Sequence, residues 1–222
     1  MKKFILSTLF LLLMSVNCFA ALTKSVEEID PWTAVAQNVV VEGATKDVSP
    51  NYQTTLHIDV ALTSTTAQAN GTEIRVQISS ATSTDNKWHE LTAFGGPTGT
   101  GNSEPVTNNP LTAGSTVITV ASTTGYTLPT GTDNGLRYIK DATIANSEIG
   151  LQTALTVNTN ITILDGTTTE HANTAVLHNI VNSYAINIPD SANRVRVIYN
   201  NTKDAAGSTV DVRSRLSKIT GI

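Results

Sequence analysis

Residues 56–62 read LHIDVAL, a stretch in which every second side chain is apolar. Successive side chains of an extended strand point to opposite faces, so this alternation predicts one buried face. Residues 73–78, EIRVQI, repeat the pattern after the turn signal Asn70-Gly71. We therefore expect two strands joined as an antiparallel hairpin. The same alternation predicts one core, formed by Leu56, Ile58, Val60, Ile74, Val76, Val195, Val197, Val210 and Val212.

Further short runs of the same kind follow along the chain, and most are bounded by Gly, Asn or Asp. Threonine and other β-branched residues are frequent, and such residues suit pleated strands better than helices. The chain is therefore predicted to be all-β, an antiparallel β-sandwich of the immunoglobulin-like or jelly-roll-like kind. One short helical turn is expected over residues 25–28, SVEE, which have capping-box spacing.

The spacing of these runs indicates one domain interrupted by another. We expect residues 31–95 plus 178–222 to form the sandwich, and residues 112–177 to form a small inserted β-module. Residues 96–111 are rich in Gly and Pro, which predicts an exposed linker without a ladder. Two consecutive sandwiches of equal standing are the alternative.

The amino terminus has the features of an export signal. Lys2 and Lys3 precede an apolar run up to Val16, and Cys18-Phe19-Ala20 places small residues where a signal peptidase reads. We expect residues 1–20 to be removed, which leaves a secreted or cell-surface chain without a transmembrane segment; the periplasm is also compatible. A retained anchor or a lipid on Cys18 are the alternatives. Residues 21–30 are expected to be an arm that could add a strand to a neighbouring subunit.

Removal of this signal leaves 12 of the 14 basic residues against 18 acidic residues, a net charge of −6 before histidine is counted. An acidic chain repels phosphate backbones, so nucleic acid is not an expected partner. Self-association or binding to other surface proteins is expected instead. The single Cys is also lost with the signal, so thiol chemistry is excluded from the mature chain.

Five short pieces within residues 112–177 form a recognisable pattern: GSTVITV at 114–120, TGY at 124–126, NSE at 146–148, ITILDG at 161–166 and EHA at 170–172. In these pieces the segment resembles β-rich modules of phage tail and virion structural proteins. The resemblance implies a packing module presented on an assembly, and it brings no catalytic residues. The export signal departs from virion proteins, so the resemblance favours a structural role more than a phage role.

Side chains that could carry chemistry are scattered. The four His residues lack the close spacing of a zinc pair, and no GxSxG elbow is present. The acidic turns at Asp133 and Asp165 are the only calcium candidates, and neither has the repeated spacing of a dedicated calcium loop. No other cofactor is indicated. Trp88 is expected to be a core residue at one end of the sandwich; its polar neighbours Asp85, Asn86 and Lys87 make a loop edge the alternative. The carboxylates that a glycosidase might use are Asp59, Glu73, Glu90 and Glu148.

These observations favour a structural or adhesive subunit of an extracellular assembly, such as a surface layer, filament or appendage. This expectation rests on four properties of the sequence: an export signal, no cysteine in the mature chain, many β-branched residues and no recognised catalytic motif. A secreted binding module for carbohydrate or calcium is the first alternative. A hydrolase whose site assembles only in three dimensions is the second.

Overall fold

The computed structural model describes residues 22–48, 53–64, 66–82, 87–129, 134–172, 174–203 and 208–221. Within these ranges the regular structure consists of strands and one 3₁₀ turn, and every strand pair is antiparallel. The prediction of an all-β protein is confirmed. The strands are β1 Leu22–Val35, β2 Val40–Glu42, β3 Lys46–Asp47, β4 Gln53–Leu62, β5 Glu73–Ser79, β6 His89–Gly95, β7 Ser103–Pro105, β8 Val117–Thr119, β9 Leu136–Lys140, β10 Glu148–Thr156, β11 Asn160–Ile163, β12 Val176–His178, β13 Val181–Ile188, β14 Arg194–Asn200 and β15 Val210–Gly221.

Two sheets form a sandwich. Sheet one has the order β1-β15-β4-β13, and sheet two has the order β2-β14-β5-β6, with β3 also paired to β14. When β2 and β3 are counted as one interrupted strand, the first strand of the sandwich pairs with the last and the second with the next to last. The third strand, β4, likewise pairs with the sixth, β13, and the fourth, β5, pairs with the fifth, β6. These successive pairs lie alternately in sheet one and in sheet two. This is the order of a jelly roll.

The predicted hairpin of β4 and β5 is wrong. β4 lies between β15 and β13 in sheet one, whereas β5 lies between β14 and β6 in sheet two. The connection between them crosses the sandwich instead of turning back within one sheet. The alternating pattern determines which face of a strand is buried. It does not determine which other strand pairs with it, because the pattern is the same for any partner.

The predicted core is confirmed. All nine residues named for it are fully buried and belong to one apolar cluster between the two sheets. Tyr199 and Leu216 extend this cluster. The inward residues alternate with outward polar ones along β14 and β15, as two packed sheets require.

The segment expected to be a helical turn and an arm is instead strand β1, which pairs with β15 of the same chain from Leu22 to Val35. Register shifts occur between Glu28 and Asp30 and between Asp30 and Thr33. Such bulges let apolar residues with non-alternating spacing reach a core. The Asp30 carboxylate then accepts hydrogen bonds from the Ser214 hydroxyl at 2.7 Å and the Ala44 amide at 2.7 Å.

Residues 1–20 lie outside the described ranges, so the signal peptide stays a prediction. Among the described residues, no helix has the length and apolar character needed to cross a bilayer.

The connection between β6 and β13, residues 96–180, is called the insert below. It contains one sheet of six strands in the order β7-β12-β9-β10-β11-β8. Beyond β7 and β8, Val106 bridges Val120, so the sheet curls until its two outer strands meet. The concave side encloses a second core made of Val106, Leu111, Ile118, Val120, Tyr126, Ile139, Ile161, Ile163, Ala175 and Leu177.

The expectation of a linker without a ladder over residues 96–111 does not hold. This segment contains β7, which pairs with β12, and the Val106 bridge that follows it. Pro105 is tolerated because β7 is an outer strand of its sheet, where a missing amide donor breaks few hydrogen bonds.

Candidate functional site

The insert packs against the outer side of sheet one through a small buried cluster, called the docking interface. Tyr138 on β9 places its ring centroid 4.4 Å from that of Trp32 on β1. Ala61 on β4 and Val181 on β13 complete the cluster, and all four side chains are buried. Aromatic pairs at this separation add to the stabilisation that apolar burial supplies.

A buried carboxylate is the polar centre of the docking interface. Asp211 on β15 accepts a hydrogen bond from the Tyr138 hydroxyl at 2.9 Å through its Oδ2, and the same oxygen lies 2.9 Å from Lys140 Nζ. Burial, then the charge of Asp211, raises the pKa of Tyr138, so this phenol stays a hydrogen-bond donor. One carboxylate of the sandwich therefore binds two side chains of β9.

His178 on β12 lies beside this centre. Its ring centroid is 6.0 Å from that of Tyr138, and the side chain is buried. Burial, with the charge of Lys140 as a second cause, lowers the pKa of His178 to about 4. At neutral pH the interface therefore contains a neutral imidazole beside the Lys140 ammonium.

A second group of charged residues lies inside the insert. The ring of His171 stands between two carboxylates, with Nε2 2.6 Å from Glu148 Oε1 and Nδ1 3.3 Å from Asp141 Oδ2. The Thr168 amide donates a hydrogen bond to Glu148 Oε2 at 2.8 Å. This group, Asp141, Glu148 and His171, is called the ionic clasp, because it holds the loop after β11 against the ends of β9 and β10.

The charges of the ionic clasp support each other. Burial alone would lower the pKa of His171, but the hydrogen bonds and charges of Glu148 and Asp141 raise it. Burial alone would raise the pKa of Glu148, but hydrogen bonds from His171 and Thr168 lower it. The imidazolium and the Glu148 carboxylate thus stabilise each other's charged form.

An apolar patch is exposed on the outer side of the insert, beside the docking interface. Leu151 pairs with Leu136 in the sheet, so it lies on the same face as Tyr138 but one strand further out. Val117, Leu151 and Leu164 are 41%, 41% and 56% exposed and are called the insert patch. The exposed Asp165 follows directly. Exposed apolar groups gathered on one face are typical of protein interaction sites.

Trp88 is not the core residue that we expected. Its half-buried ring lies on the outer side of sheet two, against the side chains of Arg194 and Arg196. The guanidinium carbons are 5.0 Å and 4.3 Å from the ring centroid. Both arginines point outward because they alternate with the buried Val195 and Val197 on β14. Outward arginines supply a cation–π surface on which the indole can lie without entering the core.

The two calcium candidates are not brought together in the part of the chain that the structure describes. Asp133 lies outside it, and Asp165 is exposed in a turn. Within the described residues, no group of three or more His, Cys, Asp or Glu side chains has an arrangement that could hold a metal ion. In the ionic clasp the imidazole separates the two carboxylates, so their oxygens face ring nitrogens and not a common centre.

Each of the four carboxylates named for glycoside hydrolysis is engaged by other side chains, and Glu73 and Glu90 share Arg75. Asp59 binds Arg213, Arg215 and the Ser183 hydroxyl. Glu148 belongs to the ionic clasp. The other two lie on sheet two, where Glu73 binds Arg75 and Lys203 and Glu90 lies 4.0 Å from Arg75.

Sequence reasoning missed the docking interface and paired none of the ionic clasp residues. Tyr138 and Lys140 alternate on one strand, which is a signal that both face the same side. Their partner Asp211 is distant along the chain, and nothing in the pattern of either strand indicates it.

No protein-family model and no curated protein matches this chain. Among solved structures, the chain is weakly similar to the VP16-VP17 complex of the two major capsid proteins of bacteriophage P23-77, with 9% identity over 90% of this chain and 99% of that chain and a TM-score of 0.22. VP17, a capsid protein of the same phage, gives 8% identity over 89% and 97% of the two chains and a TM-score of 0.22.

A structure of infectious bursal disease virus, Gx strain, gives 10% identity over 91% of this chain and 80% of that chain, with a TM-score of 0.20. The phage neighbours are capsid proteins. At these scores the likeness carries no argument about what this chain does.

Proposed function

We propose that this chain is a structural subunit of an extracellular or cell-surface assembly, exported by residues 1–20 and joined to copies of itself or to other surface proteins. The observation that carries the proposal is the insert patch. An isolated monomer gains nothing from exposing Val117, Leu151 and Leu164 together, whereas a subunit can bury them against a neighbour.

The docking interface and the insert's closed sheet support the same role. Asp211 binds Tyr138 and Lys140 across the interface, so the insert patch is presented on a support that is fixed to the sandwich. Because Val106 bridges Val120, the insert leaves less of its strand edge unpaired, and we expect recognition there to rely mainly on side chains.

The test is the mass of the mature chain, starting at Ala21, measured by light scattering over a wide concentration range and followed by electron microscopy. We expect particles larger than the monomer that grow with concentration and have a regular subunit repeat. A chain that remains monomeric alone and in the presence of the surface extract of its host would contradict a structural role.

The site of action needs its own test. Sequencing the amino terminus of the protein recovered from the medium or the cell surface should read Ala-Leu-Thr-Lys from Ala21. An intact Met1, or recovery from the cytoplasm alone, would contradict export.

A further inference from the structure

The pair formed by Lys140 and Asp211 has a buried carboxylate that two comparable pairs lack. Lys46 and Lys218 both bind Glu27 at 2.8 Å, but the Glu27 side chain is 42% exposed, so water solvates its charge. Lys140 Nζ lies 2.9 Å from Asp211 Oδ2, and the Asp211 side chain is 0% exposed. A primary amine is therefore held against a carboxyl group that solvent does not reach.

The two oxygens of the Asp211 carboxylate have different surroundings. Oδ2 accepts the hydrogen bond of the Tyr138 hydroxyl at 2.9 Å. Oδ1 is also buried, and it accepts no hydrogen bond from the residues that the structure describes. A charged oxygen without a donor is unfavourable in an interior, and replacing a buried ion pair by a neutral group removes the cost of desolvating two charges. The site therefore favours an uncharged product over the ion pair.

On this geometry we propose that Lys140 and Asp211 react with each other to form an amide bond between Nζ and Cγ, which joins the insert covalently to the sandwich. The reaction converts the ammonium and the carboxylate into an amide and one water molecule, so it needs no cofactor, oxidant or second substrate. The bond lies within one chain, so it forms whether or not the chain assembles with others.

The protons of the ammonium leave in two steps. The first moves from Nζ to Oδ1, which gives a neutral amine beside a neutral carboxyl group. The Nζ lone pair then forms a bond to Cγ, while the Tyr138 hydroxyl stabilises the charge that develops on Oδ2, as in an oxyanion hole. The second proton passes from the nitrogen to Oδ1, and the bond from Cγ to Oδ1 breaks to release water. Oδ2 remains as the amide carbonyl oxygen and keeps its hydrogen bond from Tyr138.

Proximity makes an unactivated carboxyl group reactive at this site. Well-oriented groups within one molecule can react as though each were present at about 10⁵ M or more. Asp211 lies on β15, between β1 and β4, and Tyr138 and Lys140 lie on β9, between β10 and β12, so sheets on both sides hold the reacting groups. The Lys140 side chain is 32% exposed, which leaves a route by which the released water can reach solvent.

The experiment measures the intact mass of the folded, purified mature chain. We expect wild type to be lighter than its sequence by one water molecule, and protease digestion to release a branched peptide in which Lys140 is joined to Asp211. Lys140→Arg is the matched control, because it keeps a cation beside Asp211 but has no primary amine, so it should have the full mass of its sequence.

The part played by Tyr138 is measured as a rate. Chains collected in urea before they fold are refolded by dilution, and the loss of mass is followed with time. Tyr138→Phe should form the bond about 100-fold more slowly than wild type, as expected for the loss of an oxyanion donor. An equal rate in the two chains would contradict the stabilisation of Oδ2 by the hydroxyl.

The remaining outcomes decide between a bond and an ion pair. If folded wild type keeps the full mass of its sequence, the bond does not form and the proposal is wrong. If Lys140→Arg loses the same mass, the water is lost elsewhere and the proposal is equally wrong. Glu27 is an internal control, because a bond from it to Lys46 or Lys218 would contradict the importance of burial. The measurement needs only a monomer, so its failure leaves the proposed structural role untouched.

Discussion

His171 and Glu148 are buried against each other, with 2.6 Å between Nε2 and Oε1, although 22 residues separate them in the chain. Each of the two raises the population of the other's charged form, so the strength of the ionic clasp depends on pH. Because the clasp holds the loop after β11, it affects the insert before it affects the sandwich.

The alkaline side of this dependence can be measured on His171. Its pKa is raised in the folded state, so above about pH 6.5, the ordinary value for histidine, the folded chain binds more protons than the unfolded chain. The free energy of unfolding should therefore fall as pH rises through the folded pKa of His171. Urea unfolding at several pH values should show this decline in wild type and a flatter profile in His171→Gln. An equal slope in both would contradict the role of the clasp.

The stability of the folded chain below neutral pH depends on His178 of the docking interface. The pKa of this residue is shifted in the opposite direction from that of His171. Its pKa is lowered to about 4, so between that value and the ordinary pKa of 6.5 the unfolded chain binds the extra proton. Stability should fall as pH drops through this window, by on the order of 3 kcal/mol from this residue alone. His178→Gln should lose less stability than wild type between pH 6.5 and pH 4 in the same urea measurements. His89→Gln, the same substitution at an exposed position of β6, serves as the matched control and should keep this acid loss.

The docking interface should be weakened by the removal of a single functional group. Tyr138→Phe deletes the hydroxyl that donates to the buried Asp211 and should lower the free energy of unfolding by about 2 kcal/mol, as hydrogen bonds to charged groups do. Lys140→Met removes the other partner. Because both act on one carboxylate, the double variant should not show the sum of the single effects. Tyr184→Phe is the control, since its hydroxyl donates to the Gly95 carbonyl outside the interface; a loss as large as that of Tyr138→Phe would contradict the importance of Asp211.

The sandwich core gives the largest expected effect. Val76→Asp would place an unpaired charge at a fully buried position between the two sheets. The cost should be on the order of 4 kcal/mol, enough to unfold a marginally stable domain. Val40→Asp is the same substitution at a 56% exposed position of β2 and should change the melting temperature little. Similar melting curves for the two variants would show that Val76 does not face the core.

The alternation in residues 56–62 and in the similar runs of β5, β14 and β15, together with the β-branched composition, was sufficient to predict the class and the core, because period two reports directly which side chains are buried. It was not sufficient for the partners of β4, since pairing across the sandwich depends on connections that the pattern does not describe. Strand β1 was missed for a different reason. Its first register shift, between Glu28 and Asp30, breaks the period, so the exposed Val26 and the buried Ile29 together imitate the spacing of a helix.

The charged groups were harder to predict than the core. Asp141 follows the end of β9, and Glu148 is the first residue of β10. These two residues meet His171 because the loop after β11 passes the same end of the curled sheet. Trp88 was assigned to the core on hydrophobicity, but that property does not separate a buried indole from one supported by arginines.

The meeting of Val106 and Val120 has a consequence for how such a chain changes over generations. A sheet whose outer strands meet offers a neighbour less unpaired backbone, so a few outward side chains have more influence on which neighbour binds. Those side chains contribute little to the two cores, so exchanging one of them should change the free energy of unfolding by only a few tenths of a kcal/mol. The closed insert is therefore a surface on which a lineage can acquire a new partner while the jelly roll beneath it stays the same.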